Sequence, residues 1–210
     1  GIVTNLDHVD AVHEEFEIDV RALELRSTQM GDGTATTVFY GSSTFRMWHS
    51  LADDVGIPHA VNLAFGGSTF EACRLYFERL VLPYEPARLV IYCGENDIAR
   101  GESVEFVTDQ FRQFAAMVRT CLPRTRCWFV SAKPSPGRRE YLAKMRETNA
   151  RIAAEIKQHD QWRYLDWFPS MLDQQGEPNA YLFGPDQIHL NVAGYDILAR
   201  LLRQALSKAN

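Results

Sequence analysis

The chain has 210 residues, 46% of them hydrophobic and 23% charged, with a formal charge of -5. That is enough to bury a full core as one domain over 1–210, and the acidic balance excludes nucleic acid as the main partner, because binding a polyanion rests on a clustered positive field. No apolar run approaches the ~20 residues of a membrane span, and the acidic N-terminus lacks the basic-then-apolar order of a secretory signal; a cytoplasmic protein is favoured, with a leader removed earlier left open.

Along the chain, Val9, Val12, Phe16, Val20 and Leu23 recur at helical spacing and predict an extra helix at about 7–25, packed outside the core layers and ended by Gly31-Asp32-Gly33. Its outer face offers a surface on which a homo-oligomer could form. Short apolar, β-rich runs follow at 36–40, 59–64, 87–93, 126–131 and 162–166, each succeeded by a helical segment. This alternation is the signature of βαβ units and a parallel sheet. Ser103 reads as the cap of a helix carrying Val104, Val107, Phe111, Phe114, Ala115 and Val118 on one face; Leu142, Met145, Ile152 and Ile156 form a second stripe. A third stripe, Tyr195, Leu198, Leu202 and Leu206, follows the cap candidate Asn191. Asn149 lies on the second stripe, where a buried amide must find hydrogen-bond partners, so it is assigned a structural role.

Ligands of open α/β sheets bind at the carboxyl ends of the strands, so the segments just past each run carry the chemistry. The first is Gly41-Ser42-Ser43. A serine between strand and helix sits on a sharp turn beside helix N-terminal amides and suits a nucleophile, although serine is also a common helix cap. Asp186-Gln187-Ile188-His189 places a carboxylate three residues before a histidine in a loop, where it can hold Nδ1 while Nε2 faces a serine. His8, His13, His49, His59 and His159 lack such a partner and read as surface or structural residues. Gly66-Gly67 admits a close approach of substrate to the backbone, and Asn96 supplies an amide donor; singly, a tight turn and an Asx turn are the plainer readings. Cys73, Cys93, Cys121 and Cys127 form no C-x-x-C pair and read as free thiols, and no cluster has metal-ligand spacing.

Together these segments resemble the blocks of the SGNH hydrolases, also called the GDSL esterase/lipase family. Gly41-Ser42-Ser43 is similar to the Gly-Asp-Ser block, the stretch from Asn62 to Gly67 to the glycine block, Gly94-Glu95-Asn96-Asp97 to Gly-x-Asn-Asp, and the stretch from Asp186 to His189 to Asp-x-x-His. The likeness runs from Thr36 to Leu206. Val38 to Ser43, Phe65 to Ser68 and Lys133-Pro134-Ser135-Pro136 look like the lysophospholipase-like or acetylhydrolase-like branch. The resemblance implies a three-layer α/β/α sandwich with a five-stranded parallel sheet, flavodoxin-like in order. It implies Ser43 as nucleophile with Asp186 and His189, and an oxyanion hole of Ser43, Gly67 and Asn96, with no metal or organic cofactor. Ser42 stands where the family has Asp, so the third position of the block gives the role to Ser43.

The expected partner is a small-molecule ester, with short acyl groups, acetyl especially, preferred because the connections leave no obvious lid. Transfer of the acyl group to a sugar or other alcohol, a lysophospholipase-type lipid esterase and a binding module without turnover are the alternatives. Phe45, Trp48, Phe65, Phe70 and Phe183 lie near the blocks and either line an acyl pocket or belong to the core. Lys133, Arg138 and Arg139 either meet an anionic group on the alcohol or form a solvated turn stiffened by Pro134 and Pro136.

Overall fold

A computed structural model describes residues 5–29 and 37–207. In chain order they form α1 (Asn5–Gln29), β1 (Thr37–Gly41), α2 (Ser43–Arg46), α3 (Leu51–Val55), β2 (Ala60–Asn62), α4 (Phe70–Leu80), β3 (Arg88–Tyr92), α5 (Glu95–Ala99), α6 (Val104–Cys121), β4 (Arg126–Val130), α7 (Leu142–Ile156), β5 (Trp162–Leu165) and α8 (Val192–Ser207). Thr36 and the Gly31-Asp32-Gly33 breaker lie outside the described residues.

The five strands are all parallel, in the order β2-β1-β3-β4-β5. Side chains of a strand alternate between faces, and each face here meets its own apolar layer. Val38, Tyr40, Leu89, Ile91, Cys127 and Phe129 pack with α1, α4, α6 and α7, whereas Phe39, Val90, Tyr92, Trp128 and Val130 pack with α2, α3 and α8. The chain is thus an α/β/α sandwich with a flavodoxin-like strand order, as the sequence predicts. Chain progression reverses between β1 and β3, and the carboxyl ends of those two strands flank the crevice where such sheets take ligands.

The helix stripes land where expected. Ser103 Oγ accepts the amide of Phe106 at the start of α6, and Asn191 Oδ1 accepts that of Gly194 at the start of α8. Asn149 Oδ1 accepts the amide of Ala132 at 2.9 Å and its Nδ2 donates to the Ala132 carbonyl at 3.1 Å, a two-point clamp on the strand-to-loop exit of β4. The long α1 lies on α4 and buries Val12, Phe16, Val20 and Leu23, while Arg79 of α4 pairs with Glu17 and Glu24. These ion pairs are partly exposed and contribute modestly beside the apolar face.

Two expectations are corrected. The single helix expected after β1 is two short ones, α2 and α3. The segment after β5 forms 3-10 turns at Pro169–Met171 and Ala180–Leu182 before α8, because Pro169, Gly176 and Pro178 interrupt any longer helix. No described helix is long and apolar enough to cross a membrane.

Candidate active site

Gly41 ends β1 with φ +120, and a Cβ there would lie 1.9 Å from the carbonyl oxygen of Tyr92. Only glycine lets the chain turn this close to β3. The next residue, Ser42, is extended and buried; its amide donates to Tyr92 O at 3.0 Å and its Oγ lies 3.5 Å from the same oxygen. Ser43 begins α2 with its Oγ 3.2 Å from Nε2 of His189, which separates the two serines clearly.

The histidine is placed by a loop that Asp186 organises. Asp186 Oδ1 accepts the amides of Ile188 and His189, each at 2.9 Å, and its Oδ2 lies 2.5 Å from His189 Nδ1. The His189 amide, then its ring, then the Ile188 amide hold this carboxyl well below the ordinary carboxylate range. The ionised carboxylate can only accept, so Nδ1 donates to it and Nε2 is the ring nitrogen that faces the Ser43 hydroxyl. The loop is closed by Gly184 N donating to His189 O at 2.8 Å and Gln187 N to Gly184 O at 2.9 Å.

On the other side, Asn62 Nδ2 donates to Phe45 O at 2.6 Å and ties the end of β2 to α2. Ser68 Oγ donates to Gly41 O at 2.7 Å, fixing the Gly66-Gly67 loop against the Gly41-Ser42-Ser43 turn. Gly67 has φ +75, a conformation that side chains rarely take, and its neighbour at this face is Phe16 of α1. Asn96, in the first turn of α5, donates Nδ2 to Ser68 O at 3.0 Å, where an Asx turn was the plainer expectation. Its Oδ1 accepts from Arg138 Nη1 at 3.2 Å. Ser43, His189 and Asp186 therefore form one hydrogen-bonded relay, and Ser68 links both Gly41 and Asn96 to its margin.

Sequence reasoning missed the charged cluster beneath this margin. Lys133 and Glu95 are both buried, with Nζ 2.8 Å from Oε1, and Arg138 Nη1 is 2.7 Å from Glu95 Oε2. Burial opposes ionisation of Glu95, but Lys133 and then Arg138 outweigh it and bring the carboxyl below its ordinary value. Lys133 also donates to Thr44 Oγ1 at 3.1 Å, next to Ser43. The expectation that Lys133, Arg138 and Arg139 meet a substrate anion, or form a solvated turn, is corrected for two of them: Lys133 and Arg138 are spent on Glu95, whereas Arg139 is exposed, paired with Glu177, and fits the solvated turn. The signal available was a lone glutamate past β3 and a lone lysine past β4, opposite charges at one sheet edge. The aromatic candidates resolve as core, since Phe45, Trp48, Phe65, Phe70 and Phe183 are all buried.

The cysteines are free, with Cys121 exposed and the other three buried. Among the described residues no group of His, Cys, Asp or Glu is placed to hold a metal ion.

No curated protein matches the chain in sequence. Among solved structures, a GDSL-like lipase from Bacteroides thetaiotaomicron is 24% identical with a TM-score of 0.73, covering 84% of this chain and 90% of that one. A lipase/acylhydrolase from Enterococcus faecalis is 18% identical with a TM-score of 0.67, covering 82% and 95%. A mutant acetyl-xylooligosaccharide esterase from Geobacillus Stearmophilus is 14% identical with a TM-score of 0.64, covering 80% and 92%. At these identities the likeness is one of fold. The model of the GDSL-like Lipase/Acylhydrolase family matches residues 28–197, most of the chain. The protein thus belongs to the GDSL-like lipase/acylhydrolase family and is a serine hydrolase acting on ester bonds.

Proposed function

We propose that the protein hydrolyses esters of short acyl groups through an acyl-enzyme formed on Ser43. The Ser43 hydroxyl attacks the acyl carbon while His189 Nε2 takes its proton; the C–O bond then breaks and the imidazolium returns the proton to the leaving alcohol. Water repeats the sequence on the acyl-enzyme and releases the acid. Asp186 holds the ring in the required tautomer and balances its charge. Negative charge developing on the carbonyl oxygen is met by the amides of Ser43 and Gly67 and by an N–H of Asn96, donors of a kind worth about 3–4 kcal/mol each.

The observation that carries this reading is the relay itself: 2.5 Å from Asp186 Oδ2 to Nδ1, and 3.2 Å from Nε2 to Ser43 Oγ. Short acyl groups are favoured because the five aromatic candidates Phe45, Trp48, Phe65, Phe70 and Phe183 are all buried in the core, which argues against their lining an open channel for a long chain. A protein of like fold is an acetyl-xylooligosaccharide esterase, which is named for a short acyl group.

Turnover of p-nitrophenyl acetate by Ser43→Ala and His189→Ala tests the mechanism. Each is expected to fall by at least ~10^4-fold with native circular dichroism. Wild-type turnover in both would refute it. A series of p-nitrophenyl esters from acetate to decanoate tests the acyl preference, and kcat/KM rising with chain length would reverse it.

A further inference from the structure

Asn96 has an amide whose two ends cannot be exchanged. Ser68 O is only an acceptor, so it takes an Nδ2 hydrogen; the Arg138 guanidinium is only a donor, so it requires Oδ1. With Oδ1 held and one N–H committed to Ser68, a single N–H of Asn96 is left over. If Oδ1 were released, the amide could rotate and present an oxygen to a developing oxyanion, turning stabilisation into repulsion.

We propose that Arg138 is a positioning residue of the oxyanion hole, holding the Asn96 amide with its free N–H available to the substrate, and that buried Glu95 exists to hold Arg138. The proposal rests on the Asn96 role in the reading above. Arg138 Nη1 has two hydrogens, and its two acceptors are Glu95 Oε2 at 2.7 Å and Asn96 Oδ1 at 3.2 Å. Glu95 itself is fully engaged: Oε1 accepts from Tyr92 Oη at 2.5 Å and from Lys133 Nζ at 2.8 Å, and Oε2 from Ser135 Oγ at 3.4 Å as well as from Arg138. A carboxylate bound on so many sides at the heart of the molecule has little freedom, and it passes that rigidity to the guanidinium.

The loop bearing Arg138 is pinned independently. At its start Ala132 is clamped by Asn149, and the Lys133 amide donates to Tyr92 Oη at 2.9 Å. Near its end the Gly137 amide donates to Gln187 O at 2.8 Å, inside the loop that carries His189. A Cβ at Gly137 would lie 2.8 Å from Ile188 Cγ1 and 3.0 Å from Asp186 O, so a larger residue would have to push the two loops apart. One connection, residues 131–138, therefore touches the nucleophile turn through Lys133 and Thr44, the amide donor through Arg138, and the histidine loop through Gly137. The donor geometry is set before substrate arrives, which is what electrostatic preorganisation demands.

A double-mutant cycle with p-nitrophenyl acetate tests it, using Asn96→Ala, Arg138→Gln and the pair, with folding followed by circular dichroism. Asn96→Ala is expected to lower kcat ~100-fold, and Arg138→Gln ~10-fold with KM within about twofold, since the interaction matters in the transition state. The double variant is expected to equal Asn96→Ala within about twofold, because a residue that acts only through Asn96 has nothing further to lose. Unchanged kcat in Asn96→Ala would overturn the role of Asn96 itself. A clear loss in Asn96→Ala combined with wild-type kcat in Arg138→Gln, or with losses that multiply in the double variant, would overturn the positioning role and leave the rest of the mechanism standing. Arg138→Met, which also leaves Glu95 paired with Lys133, repeats the cycle if the Gln variant does not fold; failure of both to fold would make Arg138 a stability residue and reject the proposal.

Discussion

Asp97 stands beside Asn96 in the same turn, yet its carboxyl is buried and its Oδ1 has no hydrogen-bond partner. Oδ2 accepts the Phe70 amide at 3.3 Å. Burial, outweighing that bond and one from the residue's own amide, pushes the carboxyl up from 3.8 to about 7. An unfolded chain releases this proton as pH rises through 3.8, whereas the folded chain keeps it until about 7. The folded state thus binds more protons across that window, and its stability falls as pH rises through it. At ~1.4 kcal/mol per pH unit, the interval from 3.8 to about 7 amounts to about 4 kcal/mol, absent below pH 3.8 and complete above pH 7. Asp97→Asn removes the titration and keeps the shape. Its stability relative to the wild type, from urea unfolding followed by tryptophan fluorescence, is expected to rise by about 2 kcal/mol between pH 4 and pH 5.5 and by about 4 kcal/mol between pH 4 and pH 8. Glu17, held down to about 2 by Arg79, and Asp186 titrate alike in both proteins and cancel in the difference. A stability difference that stays constant across this range would refute the reasoning, whatever its size.

Three further outcomes follow from the geometry. Gly41→Ala puts a Cβ 1.9 Å from a backbone oxygen of the adjacent strand at φ +120, and is expected to cost at least ~3 kcal/mol, read as a lowered thermal midpoint or loss of folded protein. Asp186→Asn leaves Nδ1 without its carboxylate and is expected to lower kcat by ~10^2- to 10^4-fold with little change in KM, measured on p-nitrophenyl acetate; a change confined to KM would contradict the relay. Phe16→Ala removes a buried ring set edge-on against Phe65 at 5.3 Å and is expected to cost about 3–4 kcal/mol, a drop in thermal midpoint of roughly 6–16 °C for a chain of this size; an unchanged midpoint would place α1 outside the cooperative core.

The sheet was legible because its three central strands, β1, β3 and β4, are buried on both faces along most of their length. Apolar runs such as Leu89-Val90-Ile91-Tyr92 have no polar side to obscure them, and the helices between them announce themselves by stripes and caps. The region after β1 was less legible. Phe45, Trp48 and Leu51 have helical spacing, but Trp48 is drawn down onto Tyr195 and its Nε1 donates to Asp54 at 2.8 Å, which suits a break between two short helices as well as one long helix. Tertiary contacts decided between them. The segment after β5 misled for a simpler reason: a helix was expected in a stretch whose prolines and glycine already argue for turns.

The residues of the relay could be named in advance because the blocks that carry them, weak one at a time, stand together in the order of the GDSL family, each just past a strand or before the last helix. Lys133 and Arg138 sit at the same edge and were misassigned, and Glu95 was given no role, since a sequence shows which charges are present but not which are already spoken for. A cation near a catalytic block invites assignment to a substrate anion. Here the anion is Glu95, supplied by the neighbouring strand end, and water reaches neither it nor Lys133. Isolated, either buried charge would be strongly unfavourable; together, with Tyr92, Ser135 and Arg138 completing the shell, they form a hydrogen-bonded network that reaches Asn96 Oδ1. The cost of burying them is thus matched within the protein, and it favours the proposed positioning of Asn96 over recognition of a charged alcohol by these two cations.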